Sequence, residues 1–323
     1  MTGRMSQSAA SPSARQGAEA YDQARQNLLS GQLAGTIEAV RLADWASNAG
    51  HAEADVLLAL LAGAGVGMPQ SWERALDHLL AGAERGSVAA RGQLAALAGE
   101  AVAGGGDWPS LRRAIRPADW LAPPAKTVIS QAPRVVAIRS FLAAPVCDWI
   151  IGRAKGRTGP ALVYDPATGA AQPGDGRNNS SFEFAFLDLD LVVLMVRARM
   201  AATIGVPAQL FESPQVLHYD VGQAFAPHHD YLDPHRPWTA GQIAAAGQRI
   251  VTFLVYLNDG YDGGETDFPR LGLRHPGRRG SALYFGNVDT SGTPDPGTLH
   301  AGLAPTRGEK WLFSQWIRDR PRT

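Results

Sequence analysis

Apolar residues recur at three- and four-residue spacing between Ala20 and Gly104. Val40, Leu42, Ala43, Trp45 and Ala46 make one set, and Val56, Leu57, Leu60 and Leu61 another. That spacing predicts amphipathic helices, and Pro69 is the one proline in the stretch. Residues 1–19 lack both periodicity and large apolar groups and read as a disordered tail. Gly and Pro then punctuate Gly104–Pro124 (GGGDWPSLRRAIRPADWLAPP), so residues 105–125 read as a linker between a helical region, 20–104, and a second domain, 126–323. Beyond it the pattern changes. Val135, Val136 and Ile138 lead into a helix over Ala144–Ala154, and a second helix spans Leu189–Ile204. Four strand-like runs follow: VLHY at 216–219, IVTFLVYL at 250–257, SALYF at 281–285 and KWLFSQWI at 310–317. The expected fold is α+β and multidomain: an N-terminal α-helical repeat region, then a double-stranded β-helix (jelly-roll) barrel with supporting helices.

The helical region contains an echo of itself. AVRLADWASNAGHAEA, starting at Ala39, aligns with ALDHLLAGAERGSVAA, starting at Ala75, and places Gly50 on Gly86. A period in the mid-thirties, with a glycine ending one helix, is the mark of stacked helix pairs. Together with the Gly-rich turn in Leu60–Arg74 (LLAGAGVGMPQSWER), it resembles Sel1-like repeats of the tetratricopeptide class over about two repeats. A plain helical bundle is the alternative.

Composition narrows the function. Lys+Arg and Asp+Glu each number 30, so the formal charge is zero and the electrostatic footprint of a nucleic-acid or anionic-membrane binder is missing. The single cysteine, Cys147, supports neither an internal disulfide nor a thiolate metal cluster. There is no long apolar run and no secretory h-region, so the expected location is cytoplasmic.

Candidate chemistry lies in YDVGQAFAPHHD, Tyr219 to Asp230. On a strand, His228 and Asp230 would face the same side and His229 the other. His300, in a Gly/Pro-rich stretch before the last strand, would complete a face of two imidazoles and one carboxylate, which suits non-haem Fe(II) with open positions. Ten residues on, Lys310 offers a cation for the distal carboxylate of a dicarboxylate such as 2-oxoglutarate.

Five segments in order then carry a resemblance: Tyr219–Asp230, Arg249–Asn258 (RIVTFLVYLN), Gly263–Pro269 (GGETDFP), Gly280–Phe285 (GSALYF) and His300–Trp311. Together they resemble the prolyl 4-hydroxylase family of 2-oxoglutarate- and Fe(II)-dependent dioxygenases, over Val135 to Arg320. The resemblance implies His228, Asp230 and His300 as iron ligands, with no catalytic side chain beyond the metal centre. It implies Lys310, Tyr219, Thr266 and Trp316 around 2-oxoglutarate and Arg249 facing a peptide substrate. It also implies Fe(II), 2-oxoglutarate and O2, with ascorbate as a candidate reductant. The reaction would be hydroxylation of a C–H bond, foremost that of a prolyl residue in a protein or peptide, coupled to conversion of 2-oxoglutarate to succinate and CO2. A carboxylate at Asp230 favours hydroxylation over halogenation, whereas Phe225 stands where the family often has tyrosine. The loop Leu232–Gln248 is a candidate lid.

The remaining histidines have plainer readings. His218 is expected as a core or supporting residue, His229 as outward-facing, His235 and His275 as solvated, and His51 and His78 as packing residues. Trp311 and Trp316 are expected on opposite strand faces. Two further functions stand beside the dioxygenase. One is a helical-repeat interaction or sensor protein whose barrel binds iron and 2-oxoglutarate without efficient turnover. The other is a zinc hydrolase, for which no general base is evident. The helical repeats are also expected to dock a protein substrate.

Overall fold

The computed structural model describes residues 12–100, 106–165, 168–172, 174 and 176–321. They form two compact units, the first running to Trp120 and including Leu187–Met195, the second taking the rest.

The first unit is a succession of helices: α1 (Pro12–Leu29), α2 (Leu33–Asn48), α3 (Ala52–Ala64), α4 (Trp72–Glu84), α5 (Val88–Ala98), α6 (Trp108–Ala114) and α7 (Pro117–Leu121). From α1 to α6 each packs on the next. Two expectations change here. Residues 1–11 of the expected tail lie outside the described residues, but 12–19 are already helical. The buried stripe of α1 is Ala20, Ala24 and Leu28. Alanine is the strongest helix former, and a stripe built of small residues escapes a search for bulky ones. The expected linker likewise carries α6 and α7, while 101–105 lie outside the described residues. Asp107 caps α6 by accepting from the Ser110 N–H at 3.0 Å, and Trp120 Nε1 donates to the Leu97 carbonyl at 3.1 Å. Pro109 and Pro117 stand in the first turns of these helices and start them rather than break them.

The sequence echo is a structural repeat. Gly50 N–H donates to Ser47 O and His51 N–H to Ala46 O; 36 positions on (86 − 50), Gly86 N–H donates to Ala83 O and Ser87 N–H to Gly82 O. Both glycines have positive φ, 88° and 98°, a backbone region that costs other residues energy. Ala39 and Ala75, and likewise Ala54 and Ala90, are buried.

The second unit is a barrel of two antiparallel sheets. Its strands are β1 (Thr127–Gln131), β2 (Arg134–Ile138), β3 (Gly159–Pro160), β4 (Val163–Tyr164), β5 (Ala171–Gln172), β6 (Ser180–Glu183), β7 (Gln215–Tyr219) and β8 (Phe225–His228). There follow β9 (Arg249–Tyr256), β10 (Asp262–Gly263), β11 (Thr266–Phe268), β12 (Leu273–His275), β13 (Ala282–Gly286), β14 (His300–Gly302), β15 (Pro305–Arg307) and β16 (Lys310–Arg318). The main sheet runs β1-β2-β13-β9-β16-β7-β6-β3 and the smaller one β12-β11-β14-β8, the jelly-roll arrangement expected. Helices α8 (Ala144–Ala154) and α10 (Pro237–Ala246) belong to this unit, as does α9 (Leu191–Ile204) from Val196 onward. The core between the sheets consists of alternate residues, including Leu217 and Tyr219 of β7, Leu254 and Tyr256 of β9, Leu283 and Phe285 of β13 and Leu312 of β16. The period of two therefore sends Lys310, Ser314 and Trp316 to the inside of the barrel as well. Among the described residues no helix is long and apolar enough to cross a membrane.

Candidate metal centre and co-substrate pocket

His228 and His300 stand directly opposite one another on β8 and β14. Asp230 lies two residues past the end of β8, not within it, and the chain still turns its carboxylate between the two rings. Asp230 Oδ1 is 3.6 Å from His228 Nε2, and Oδ2 is 3.4 Å from His300 Nε2. Adjacent donors on one ion, at metal–nitrogen bonds of about 2.1 Å, lie about 3 Å apart, so the spacing fits a common metal. Each imidazole is held by its other nitrogen: His228 Nδ1 meets the Ala226 carbonyl at 2.9 Å and His300 Nδ1 that of Thr298 at 2.9 Å. A carbonyl can only accept, which puts the proton on Nδ1 and leaves the Nε2 lone pairs facing the carboxylate. Burial, then the neighbouring His300, lowers the pKa of His228. Burial alone would raise that of Asp230, but with the rings protonated their charge, that of His300 first, holds it well below the usual range. A metal bound here would take the place of that ring charge, leaving neutral imidazoles and an ionised carboxylate as its ligands.

From this face a narrow cavity runs inward to Lys310, lined also by Tyr219, Thr266 and Gly302. Lys310 is 1% exposed; its ammonium donates to the Gly264 carbonyl at 2.6 Å and lies 5.1 Å from the centre of the Tyr219 ring. Gly264 has φ +69°, and a side chain there would press on the Lys310 Cδ at 3.3 Å. Burial pushes the Lys310 pKa down to about 8 and that of Tyr219 up to about 12. Thr266 Oγ1 shares a 2.7 Å hydrogen bond with Tyr256 OH. Trp316 borders the cavity nearer Asp230 than Lys310, since it pairs with Thr252 six residues along β16.

A second, open cavity of about 820 Å³ begins at His228 and Asp230 and widens outward past Arg177, Trp316, Tyr164 and Trp238. Residues 214–318 of this chain match the family model of the 2OG-Fe(II) oxygenase superfamily. Probable prolyl 4-hydroxylase 6 of Arabidopsis thaliana is 33% identical over 213 residues, covering 60% of this chain and 72% of that protein. Prolyl 4-hydroxylase 5 of the same plant is 34% identical over 210 residues, covering 59% and 70%. The chain belongs to the prolyl 4-hydroxylase family. It is a 2-oxoglutarate-dependent Fe(II) dioxygenase, taking Fe(II), 2-oxoglutarate and O2. A viral collagen prolyl hydroxylase from Paramecium Bursaria Chlorella virus-1, solved with 2OG, is 28% identical, covering 57% of this chain and 95% of that one, with a TM-score of 0.44.

A β-bulge shapes one side of the outer cavity of this dioxygenase. Ile317 pairs with Val251, but Arg318 pairs with Arg249, so Ile250 is the extra residue. The bulge turns Arg249 onto the inner face beside Trp316, with its guanidinium 3.7 Å from the ring centre. Arg249 is committed to Glu212 through two bonds, 2.7 and 3.0 Å, and Arg318 meets the same carboxylate at 2.7 Å. Arg249 thus borders the outer cavity as half of a clamp, with Arg318 as the other half. Glu212→Ala leaves two arginines without their carboxylate, one of them 3% exposed. The expected cost is about 3–5 kcal/mol of stability, measured by urea denaturation, with Glu212→Gln retaining part of it.

Arg177, Tyr164 and Gly169 carried no sequence signal. Arg177 stacks over Phe225 at 4.5 Å, and Phe225 stacks on His228 at 3.5 Å, which accounts for an aromatic ring at 225. The expected lid contains α10, and its Trp238 stacks on Tyr164 at 5.5 Å. Gly169 fits beneath that indole because a Cβ would lie 2.1 Å from Nε1. His229 is not outward-facing: it lines the outer cavity and meets the Pro296 carbonyl at 3.1 Å. His275 is half-buried beside Tyr256, and burial lowers its pKa. Another His–carboxylate group, His218 with Asp220 and Glu309, lies apart from Asp230. There, His218 is satisfied by Ser180 at 3.2 Å and Glu309 at 2.8 Å.

Proposed function

We propose that this chain hydroxylates a prolyl residue of a protein or peptide, with His228, Asp230 and His300 holding Fe(II) and Lys310 receiving the far carboxylate of 2-oxoglutarate. The observation that carries the reading is the inner cavity, which has the two-imidazole, one-carboxylate face at one end and a buried ammonium at the other. Bound there, iron and the keto acid supply the oxidising chemistry, coupled to loss of CO2. The chain's own residues do the rest. Lys310 pairs with the carboxylate in a dry site where a charge-assisted bond is strong. Tyr219, a neutral phenol, and Thr266 offer further hydrogen bonds beside it. Trp316 and Phe225 form apolar walls between the metal face and solvent.

The outer cavity supports a peptide rather than a small buried substrate. Its size falls in the range of ligand sites of about 300–1,000 Å³, yet it is open and edged by Tyr164, which is 54% exposed. An aromatic edge suits proline rings, whose peptides are already extended. The relatives' names point the same way. The test loads the protein with Fe(II) and 2-oxoglutarate without oxygen, admits O2, and follows succinate with and without proline-containing peptides. A proline peptide is expected to stimulate succinate at least severalfold and to gain one oxygen atom on proline by mass spectrometry. Stimulation only by peptides lacking proline would overturn the prolyl assignment and leave the dioxygenase chemistry standing.

A further inference from the structure

Asp230 is held by more than the two imidazoles. Its Oδ2 accepts from Thr252 Oγ1 at 2.7 Å, and Thr252 Oγ1 accepts from Asn287 Nδ2 at 2.9 Å. Thr252 and Asn287 are 1% and 0% exposed. The direction of the chain follows from donor chemistry. An ionised carboxylate only accepts and an amide nitrogen only donates, so the one hydroxyl proton must go to Asp230. Asn287 is itself anchored through the backbone: its N–H donates to Ile250 O at 2.8 Å and its carbonyl accepts from Asp295 N–H at 3.0 Å. Ile250 is the bulge residue that also aims Arg249. Asn287 Oδ1 has no hydrogen-bond partner among the described residues. Burying an unpaired carbonyl is costly, and an apolar residue would fill the space without that cost.

We propose that Asn287 and Thr252 are positioning residues that keep Asp230 a one-oxygen metal ligand. The inference rests on the assignment of Asp230 as a ligand made above. The Thr252 proton lowers the basicity of Oδ2 and fixes the plane of the carboxylate, leaving Oδ1 as the stronger donor. An octahedral ferrous ion bound by three side chains and chelated by a keto acid has a single position left for O2. A carboxylate free to swing and grip with both oxygens would occupy that position. The Asn287–Thr252 relay therefore guards the vacancy that the reaction needs, from outside the ligand set.

Co(II) binding without 2-oxoglutarate or turnover tests this, because the visible spectrum of Co(II) reports its coordination number. Thr252→Val keeps the side-chain shape and removes the hydroxyl, and Thr252→Ser restores it. For Thr252→Val the Co(II) spectrum is expected to shift toward higher coordination, with a change in the Co(II) dissociation constant of about 10-fold or more, the scale on which an outer-shell partner acts. Thr252→Ser is expected to return both to wild-type values, which separates the hydroxyl from packing. Asn287→Ala, in which the hydroxyl loses its director, should fall between; thermal melts confirm that each variant is folded. Wild-type affinity and spectrum in Thr252→Val would overturn the relay, provided Asp230→Ala has lost Co(II). If Asp230→Ala binds Co(II) like wild type, the ligand assignment fails and the relay fails with it.

Discussion

His228→Ala will abolish iron-dependent succinate formation, to below about one hundredth of wild type, while the protein remains folded. The lower bound comes from the metal centre itself. Loss of an outer-shell partner already costs roughly 10- to 100-fold in metal affinity or activity, and His228 Nε2 stands among the converging donors. The fold should survive because His228 is half-buried at the end of a four-residue strand, and removing it relieves a crowded pair of rings 4.3 Å apart. The measurement is succinate yield per enzyme after anaerobic loading and exposure to O2, with circular dichroism to check folding. Wild-type turnover in the variant would displace His228 from the centre, and with it the reading of the inner cavity.

Lys310→Met will raise the Michaelis constant for 2-oxoglutarate by about 10- to 150-fold, since a hydrogen bond to a charged group contributes roughly 1.5–3 kcal/mol. The pH dependence follows from the same burial, which lowers the Lys310 pKa from 10.5 to about 8. Below pH 8 the free enzyme carries the ammonium that pairs with the carboxylate. Above it the proton must be recovered on binding, so the Michaelis constant should rise up to tenfold per pH unit. Stability moves the other way. Between pH 8 and 10.5 the unfolded chain binds more protons at this lysine than the folded one, so its contribution to stability rises with pH. A Michaelis constant flat from pH 7 to 10 in the wild type would show that Lys310 does not receive the co-substrate.

How much of this was legible in the sequence depended on whether a signal is local. His228, Asp230, His300 and Lys310 were readable because motifs in a fixed order carry them, and the structure brings all four to one cavity. The strands at VLHY, IVTFLVYL, SALYF and KWLFSQWI form where β-branched and aromatic residues cluster. Helix α1 was hidden because alanine makes its buried stripe. The two helices in the expected linker were hidden because proline serves both to start a helix and to break one. The bulge at Ile250, the Glu212 clamp and the Asn287–Thr252 relay join residues from 22 to 106 positions apart. No spacing rule reaches that far. Arg249 shows the limit well: nothing in the sequence pointed to its bidentate partner, 37 residues away.

Strand β16 occupies the middle of the main sheet, between β9 and β7, and it follows every other described strand in the chain. A ribosome releases the chain from its N-terminal end, so β7 and β9 emerge with the slot between them empty. Their facing edges carry unpaired N–H and C=O groups until β16 arrives, and such edges invite pairing with other chains. The metal-facing side chains at 228, 230 and 300 are all synthesised before Lys310. Protein synthesis thus imposes an order of assembly: the nascent barrel holds the imidazoles and carboxylate proposed as metal donors before it holds the ammonium proposed to anchor the keto acid, and only a chain that includes β16 has both.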